Sequence, residues 1–205
     1  YVGPQAQRVR DPGEPSPDLG LDYCSGCGGC TVVCPHGVKV MEINTAAKSQ
    51  MRARQWRERP LDPHLWRNWL LGRNEALGQI GGMVAPLANL LMGFRPTRLV
   101  LEKTLGIDHR APFPRFHFRK FRDWFFGEHQ REKARLAPGA PKVAYFHGCA
   151  TEHYEHEVGK AIVAVLEHSG FEVILPEQNC CGLPMQSNGD FDGTRRYACA
   201  LLAKL

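Results

Sequence analysis

The chain has 205 residues, of which 43% are hydrophobic and 23% are charged, the composition of an ordinary globular protein of one or two domains. The net charge of +5 is too small by itself to indicate nucleic acid, and the sequence contains no recognisable nucleic-acid-binding module, so we expect no such partner. Eight cysteines without a secretory signal indicate metal ligation in a reducing compartment and argue against a disulfide framework.

The first part of the chain, residues 1–47, is predicted to be a connector followed by the C-terminal part of a ferredoxin-type unit. Residues 1–20 are rich in proline and glycine, which is typical of an irregular connector. Residues 24–35 read Cys-Ser-Gly-Cys-Gly-Gly-Cys-Thr-Val-Val-Cys-Pro, the C-x2-C-x2-C-x3-C-P spacing of a bacterial ferredoxin. The glycines allow the backbone to turn tightly around a cluster. We therefore predict a [4Fe–4S] cluster bound by Cys24, Cys27, Cys30 and Cys34.

The ligand set of this run has two alternatives. In two-cluster ferredoxins the fourth cysteine of each run binds the other cluster, so Cys34 would reach a second cluster and the first three cysteines would need another ligand. The 205 residues contain no second run, so we expect a piece of a longer protein; alternatively, a distant cysteine completes a single cluster. A zinc site is less favoured, because it usually pairs two C-x2-C knuckles across a longer gap. Apolar residues beside the run are predicted to cover the cluster, among them Val32, Val33 and Val40.

Residues 48–140 are predicted to form a mostly helical linker region with many basic and aromatic residues. Residues 76–94 contain no charge and have about the length of a membrane-spanning helix, but their glycines and proline argue against a span. We expect a buried helical hairpin or, alternatively, a surface that contacts the membrane or a quinone. Residues 115–135 allow three interpretations. The aromatic side chains are core and the arginines are solvated, or the segment is an interfacial helix beside anionic lipid, or it is a helix that docks on a partner.

Residues 141–205 predict a parallel α/β domain. Two strand-like segments, 142–146 and 171–175, flank an amphipathic helix over residues 158–166, and a last helix begins near Asp192. The β-α-β-α order is typical of a parallel sheet.

Three cysteines follow the two predicted strands. Cys149 comes after the first strand and the Cys180–Cys181 pair after the second, and open parallel sheets place ligands beyond the carboxyl ends of their strands. Adjacent cysteines rarely form a structural disulfide, because the bridge strains the peptide between them. We predict that Cys149, Cys180 and Cys181 bind a further iron–sulfur cluster; the alternative is a buried free pair and an unrelated third cysteine. Cys199, inside the last helix, is predicted to be core. The neighbouring histidines are predicted to lie in loops or at the surface: His147, His153 and His156.

A family resemblance rests on four segments: the ferredoxin-type run, Leu105–Arg110, Phe146–Cys149 and Asn179–Gly189. Together they resemble the heterodisulfide-reductase-like cysteine-rich (CCG) iron–sulfur proteins. Among these proteins the Ile-Asp-His-Arg stretch is most similar to the C subunit of anaerobic glycerol-3-phosphate dehydrogenase, and the iron–sulfur subunit of glycolate oxidase is also similar. The resemblance covers nearly the whole chain.

The resemblance implies a multi-part α+β and α/β fold. It predicts a ferredoxin-like cluster-binding helical segment, a helical middle region and a partial parallel α/β cysteine-rich domain. Family members carry two ferredoxin-type runs followed by two cysteine-rich domains, so residues 141–205 would be the first of these domains, truncated.

The resemblance also implies an electron-transfer role. The chain would pass electrons from a partner flavoprotein dehydrogenase, of the glycerol-3-phosphate or 2-hydroxy-acid type, towards membrane quinone. It would be cytoplasmic and peripheral on the inner face of the cytoplasmic membrane. No nucleophile–base pair stands out, so we predict no catalytic residue in this chain. Two alternatives are a reductase that acts on a small disulfide or thiol at the cysteine-rich cluster, and a redox-sensing iron–sulfur scaffold.

Overall fold

The computed structural model of the protein describes residue 21 and residues 24–132 and 139–205; the predicted connector over residues 1–20 lies outside the described residues. The described chain is mostly helical and contains one two-stranded parallel sheet, so the predictions of a helical middle region and of a parallel sheet near the C-terminus are confirmed. The division into residues 1–47, 48–140 and 141–205 stays a prediction.

The helices are, in chain order, α1 (Gly29–Val32), α2 (Val40–Glu58), α3 (Pro63–Gly72), α4 (Asn74–Met83), α5 (Ala85–Gly93), α6 (Arg95–Leu105), α7 (Phe121–Trp124), a π-helical turn (Phe125–His129), α8 (Gln130–Glu132), α9 (Gly148–His153), α10 (His156–His168), α11 (Leu183–Ser187) and α12 (Phe191–Leu202). The strands are β1 (Lys142–Ala144) and β2 (Glu172–Ile174). The chain divides into two compact units, Tyr1–Arg73 with Gly182–Arg196, and Asn74–Cys181 with Tyr197–Leu205.

The first unit is built from α1, α2, α3, α11 and the start of α12. The α3 helix begins where the Asp62 carboxylate accepts a hydrogen bond from the His64 N–H (2.9 Å) and Pro63 takes the first helical position. Met185 of α11 is buried, and its side chain lies beside Gly72 of α3. Gly189, with φ +75°, brings its backbone so close to α2 that a Cβ atom there would lie 2.7 Å from the Ser49 nitrogen.

The second unit is organised by the pairing of β1 with β2. The strands run parallel, with Val143 opposite Val173, and α10 forms the crossover between them. Gly170, with φ +88°, ends the crossover helix as its position in the sequence suggests. The core of this unit lies between the sheet, the crossover helix and the α7 region; its buried members are Phe121, Phe125, Val163, Val173 and Leu175.

The basic and aromatic segment over residues 115–135 is divided between core and surface. Phe121 and Phe125 are buried on either side of the junction between α7 and the π-helical turn, so the prediction that aromatic residues here are core is confirmed for these two. The same prediction is wrong for Phe118 and Phe126, which are exposed.

The uncharged stretch over residues 76–94 forms the helical pair α4 and α5. Gly78 and Gly81 face the interior of the second unit, where α4 packs on α9. The opposite side of the pair exposes a row of large apolar residues: Ile80, Met83, Leu87, Leu90 and Leu91. The hairpin is therefore buried on one side only. Among the described helices, none is long and apolar enough to cross a membrane alone; α4 and α5 together have the length and composition to do so, with a bend of 105° between them.

Replacing Gly78 by alanine is expected to lower the free energy of unfolding by about 1–2 kcal/mol, because the added methyl group would lie 2.6 Å from the His153 Cβ, which no side-chain rotation can move away. The gain in helix propensity, about 1 kcal/mol, offsets part of this cost. Gly93→Ala, in α5, is the matched control because nothing lies within 4 Å of its added atom. Chemical denaturation measures both variants; equal unfolding free energies would contradict the close packing of α4 on α9.

Candidate metal centres

The ferredoxin-type run forms a loop around α1 in the first unit. Gly26 and Gly28 have φ values of +71° and +78°, so two glycines of the motif supply left-handed turns that other residues rarely adopt. The thiols of Cys27 and Cys30 are exposed, whereas Cys24 and Cys34 are half-buried. All four cysteines are therefore free thiols on one short, tightly turned loop.

Helix α2 holds this loop from one side. The Met41 N–H donates to the Thr31 hydroxyl (3.0 Å), and the Lys48 ammonium donates to the Cys24 carbonyl (2.9 Å). The Asn44 side-chain amide donates to the Cys24 sulfur at 3.9 Å. These three hydrogen bonds tie the cysteine loop to α2.

The apolar residues predicted to cover this site differ in their exposure. Val40 is buried at the start of α2, but Val32 and Val33 are 85% and 77% exposed. Val32 is the last residue of α1 and Val33 follows it, so whether these two exposed valines cover a cluster stays a prediction.

The second constellation lies beyond the carboxyl ends of the parallel strands. Cys149 stands in the first turn of α9, and Cys180 lies in the loop that follows β2. Their sulfur atoms are 3.5 Å apart, and neither residue forms a disulfide. Cys180 is buried, whereas Cys181 is exposed. The parallel order of the strands thus brings two of the three predicted thiols into contact; their role as ligands stays a prediction.

Two residues near these thiols were not identified from the sequence. The Asn74 side-chain amide donates to the Cys149 sulfur (3.7 Å), and the Glu75 carboxylate accepts the Cys180 backbone N–H (3.2 Å). Both stand at the start of α4, far from the cysteines in the chain and outside any motif. Only their position in the first turn of a helix could have drawn attention to them.

Hydrogen bonds fix the two cysteine loops in place. The Gln178 side chain accepts the Gly148 N–H (3.0 Å) and donates to the Tyr145 carbonyl (3.2 Å), which ties the loop after β2 to the loop after β1. The Asn179 amide donates to the Cys180 carbonyl (2.8 Å) and to the Tyr197 carbonyl (3.1 Å). The thiols are therefore held before any ligand is bound.

The electrostatic environment favours a thiolate at Cys149. Its pKa is lowered chiefly by the hydrogen bond with Cys180; burial opposes this effect, and the Asn74 amide adds to it. The charges of Cys181 and Glu75 act in the opposite direction. A depressed thiol pKa is what a metal ligand or a reactive cysteine requires.

The histidines beside this site are buried, which corrects the prediction that they lie at the surface. His147 packs against Phe121, and its Nε2 lies 3.5 Å from the Glu152 carboxylate. Burial lowers the pKa of His147 and raises the pKa of Glu152 to about 7. His153 packs on α4, and His156 stacks on His117.

Cys199 is exposed in α12, so the prediction that it is core is wrong. Cys199 lies at the boundary between the solvent-facing and the packed positions of α12. The spacing of apolar residues in the sequence did not indicate on which of the two sides it lies.

Side chains close enough to bind a single metal ion together are found in a different group of residues. Among the described residues, the only group of three ligand atoms within 4.8 Å of one another is Glu102, Asp108 and His109. Asp108 also pairs with Arg110 (2.8 Å) and His109 with Glu102 (2.9 Å), so the Ile-Asp-His-Arg stretch is already held by ion pairs at the end of α6. The thiols of a cluster bind different irons and need no such convergence.

The comparisons with known proteins agree with the cysteine geometry. Residues 143–203 match the CCG family, which is a cysteine-rich domain. The residues that match include β1 except for its first residue, all of β2 and all three cysteines of the second constellation. The chain carries a CCG cysteine-rich domain.

The full chain is also similar to curated proteins. It is 33% identical over 198 residues to the C subunit of the anaerobic glycerol-3-phosphate dehydrogenase of Escherichia coli K12, covering 96% of this chain and 47% of that protein. It is 27% identical over 176 residues to the B subunit of the fumarate reductase (CoM/CoB) of Methanothermobacter marburgensis, covering 84% of this chain and 26% of that protein. The lactate utilization protein A of an Exiguobacterium species is 42% identical over 59 residues, covering 28% of this chain and 24% of that protein. The predicted family resemblance is therefore confirmed.

The matches also set limits. The chain spans about half the length of the E. coli protein and about a quarter of the other two relatives. No solved structure matches the chain significantly. The relatives also include an iron–sulfur protein of Methanococcus maripaludis, 26% identical over 178 residues, covering 85% of this chain and 27% of that protein.

The acid stability of the second unit is expected to depend on His153, which is 5% exposed. Burial, aided by the charge of Lys120, lowers its pKa from 6.5 to about 4. The unfolded chain therefore binds a proton more readily, and stability is lost as the pH falls from about 6.5 towards 4. His153→Gln should make this loss shallower by up to about 1.4 kcal/mol per pH unit. Urea denaturation between pH 4 and 7 measures it, with the exposed His168→Gln as control; the same slope in both variants would be inconsistent with a buried neutral His153.

Proposed function

We propose that this chain is an iron–sulfur electron-transfer component of an oxidoreductase, with two metal centres. The observation that carries the proposal is the contact between Cys149 and Cys180, whose sulfur atoms lie 3.5 Å apart in the region that matches the CCG family. Two thiols this close, with one pKa depressed and no disulfide, suit shared metal ligation better than separate structural roles.

The first centre is a [4Fe–4S] cluster in a ferredoxin-like segment. The donor set fits such a cluster: four free thiols on one loop, left-handed turns at Gly26 and Gly28, and an amide that already donates to a thiol sulfur. The cluster would be held by Cys24, Cys27, Cys30 and Cys34, or by the first three with a ligand from another segment. When bound, it supplies one-electron redox chemistry. The Lys48 and Asn44 side chains would offset its negative charge.

The second centre is an iron–sulfur cluster at Cys149, Cys180 and Cys181. The first two thiols are preorganised by the Gln178 and Asn179 side chains, and the exposed Cys181 can turn towards the same site. Asn74 orients the Cys149 sulfur, and Glu75 fixes the backbone at Cys180. The His147 ring and the Glu152 carboxylate, 3.5 Å apart, stand two and three residues from Cys149 in the chain.

The partners we propose follow from the family. A flavoprotein dehydrogenase, of the glycerol-3-phosphate or 2-hydroxy-acid type, would deliver electrons, and membrane quinone would receive them. Two relatives carry names of subunits of a dehydrogenase and of a reductase, which supports a role within a larger complex. No group in this chain is assigned to the chemistry of the organic substrate, which would occur on the partner.

We also propose that the protein is cytoplasmic and peripheral on the inner face of the cytoplasmic membrane, where it is held by the α4–α5 pair. The pair exposes large apolar side chains with no charge between residues 76 and 94. Arg95 and Arg115 stand exposed close to the end of α5, where they could meet anionic head groups. An apolar face with flanking arginines is the pattern of an interfacial helix.

A second candidate function has one observation in its favour. Cys181 is exposed beside the buried Cys180, so a small disulfide or thiol could reach the cysteine-rich centre directly. A reductase of this kind would lose turnover in Cys180→Ser while the ferredoxin-type centre was still reduced normally.

The cluster assignment is tested with Cys180→Ser in the full-length protein, reconstituted anaerobically and reduced with dithionite. We expect it to lose the iron, the acid-labile sulfide and the EPR signal of the second centre, while the signal of the first centre remains, because the two sets of thiols do not overlap. The matched control is Cys199→Ser, whose thiol is exposed in α12 and belongs to neither set. Unchanged iron in Cys180→Ser, or stoichiometric zinc in the parent protein, would refute the assignment.

Membrane contact is tested by co-sedimentation with phosphatidylglycerol-rich vesicles. The variant is Leu90→Glu, at a position in α5 whose side chain is 70% exposed. It should weaken vesicle binding about tenfold or more, because an apolar anchor is lost and a charge is introduced. Val165→Glu is the control, since Val165 is similarly exposed (65%) but lies in α10. Equal binding of the two variants would show that α5 does not contact the bilayer.

A further inference from the structure

The second unit contains a cavity of about 550 Å³ that neither cysteine constellation uses. It is lined by α5, α6 and the segment before α7; the side chains that matter are Asn89, Met92, Arg98, Phe113, Phe116 and His117. A volume of this size accommodates a ring system and is far larger than an ion requires. The lining combines aromatic faces with a few polar groups, which is typical of a site for an organic ligand.

The polar groups of the cavity are mostly already satisfied, which narrows the chemistry of the ligand. The terminal nitrogens of Arg98 donate to the carbonyls of Met92 (3.4 Å) and Ala111. The Arg98 Nε is buried and has no hydrogen-bond partner among the described residues. A single buried N–H donor without an acceptor is costly, and a neutral carbonyl oxygen would satisfy it.

The aromatic walls are held in position before a ligand arrives. Asn89 both donates to the Phe116 carbonyl and accepts the Phe116 N–H, each at 2.9 Å. The Arg98 guanidinium lies 4.9 Å from the centre of the Phe113 ring. The His117 ring stacks on His156 at 4.2 Å. A planar ring could therefore lie against Phe113 or Phe116 without rearrangement of the backbone.

The cavity adjoins the exposed apolar face of α5. Met92 lines the cavity, and its neighbours Leu91 and Phe94 are exposed beside it. A ligand with a ring in the cavity could lay an apolar tail along these side chains. If α5 lies in the bilayer, as proposed above, the cavity opens where such a molecule is dissolved.

Helix α4 connects the cavity with the cysteine-rich thiols. Its first residue, Asn74, donates to the Cys149 sulfur. Towards its other end, Gly81 packs directly on Phe116, because a Cβ atom at Gly81 would overlap the ring. The rise from residue 74 to residue 81 is about 10 Å at 1.5 Å per residue. The cavity and the thiol site are thus separated by one short helix.

We propose that this cavity is a quinone-binding site. The Arg98 Nε–H would donate to one quinone carbonyl, Phe113 and Phe116 would pack on the ring, and the isoprenoid tail would follow α5. Reduction of the bound ring to the quinol consumes two electrons and two protons. The electrons would arrive one at a time through the proposed iron–sulfur centres, and the protons would come from water. The inference rests on that function and adds the place where the acceptor binds.

The test uses the full-length protein in lipid vesicles with a photoreactive azido-naphthoquinone that carries a short isoprenoid tail. After illumination, peptides are mapped by mass spectrometry. We expect labels on residues 89–98 or 113–117, and their loss when excess decylubiquinone is present. Labels confined to the tryptophan-lined cavity of about 710 Å³ in the first unit, or labelling that phosphatidylglycerol suppresses and quinone does not, would overturn the proposal.

A second measurement follows the rate at which decylubiquinone re-oxidises the reduced protein. Ferricyanide serves as the control oxidant, because it does not have to bind in the cavity. Phe113→Ala should raise the quinone concentration for the half-maximal rate about fivefold to tenfold, because a ring contact is lost, and should leave ferricyanide re-oxidation unchanged. Phe118→Ala is the matched control, since Phe118 is 76% exposed and lies outside the cavity.

The outcomes separate the two proposals. If the parent protein binds iron and is re-oxidised by quinone, but Phe113→Ala behaves like the control, only the site is wrong. If the parent protein lacks iron, or no quinone re-oxidises it, the proposed function itself fails.

Discussion

The parallel pairing of β1 with β2 is the constraint on which the second unit depends. Because the strands run in the same direction, the loops that follow them leave from the same edge of the sheet, and the Cys149 and Cys180 thiols meet there. An antiparallel pair would send these loops to opposite ends. A parallel pair needs a crossover connection, which α10 provides, and the buried Val163 of this helix packs in the core with Val173 and Leu175.

Helix α4 serves two surfaces at once. Its glycine side lets α9 and the Phe116 ring approach the helix backbone, while its first residues contact the thiols. Its other side, together with α5, exposes apolar side chains. A helix with glycines at Gly78 and Gly81 gives up intrinsic stability, which the tight packing it permits then offsets. The absence of charge in this stretch thus has two causes, close burial on one face and the proposed bilayer contact on the other.

The two thiol sites differ in how they are held. The ferredoxin-type loop is shaped locally, by glycines within the motif and by α2 directly after it. The cysteine-rich site is shaped by hydrogen bonds between distant segments, through Gln178, Asn179 and Asn74. A local site can form as soon as its own loop folds, whereas the second site requires the sheet and α4 to be in place.

The sequence by itself determined the features that depend on local spacing. The cysteine run, the two strands, the crossover helix with its stop at Gly170 and the proximity of Cys149 to Cys180 could all be predicted, since each follows from short-range periodicity, turn chemistry or the handed, parallel βαβ rule. Only the tertiary structure decided that Asn74 and Glu75 contact the thiols, that the histidines beside the site are buried, and that Cys199 and the two valines of the run are exposed. These facts depend on which surfaces meet after the chain has folded, and side chains far apart in the sequence carry no local signal of the contacts they will make.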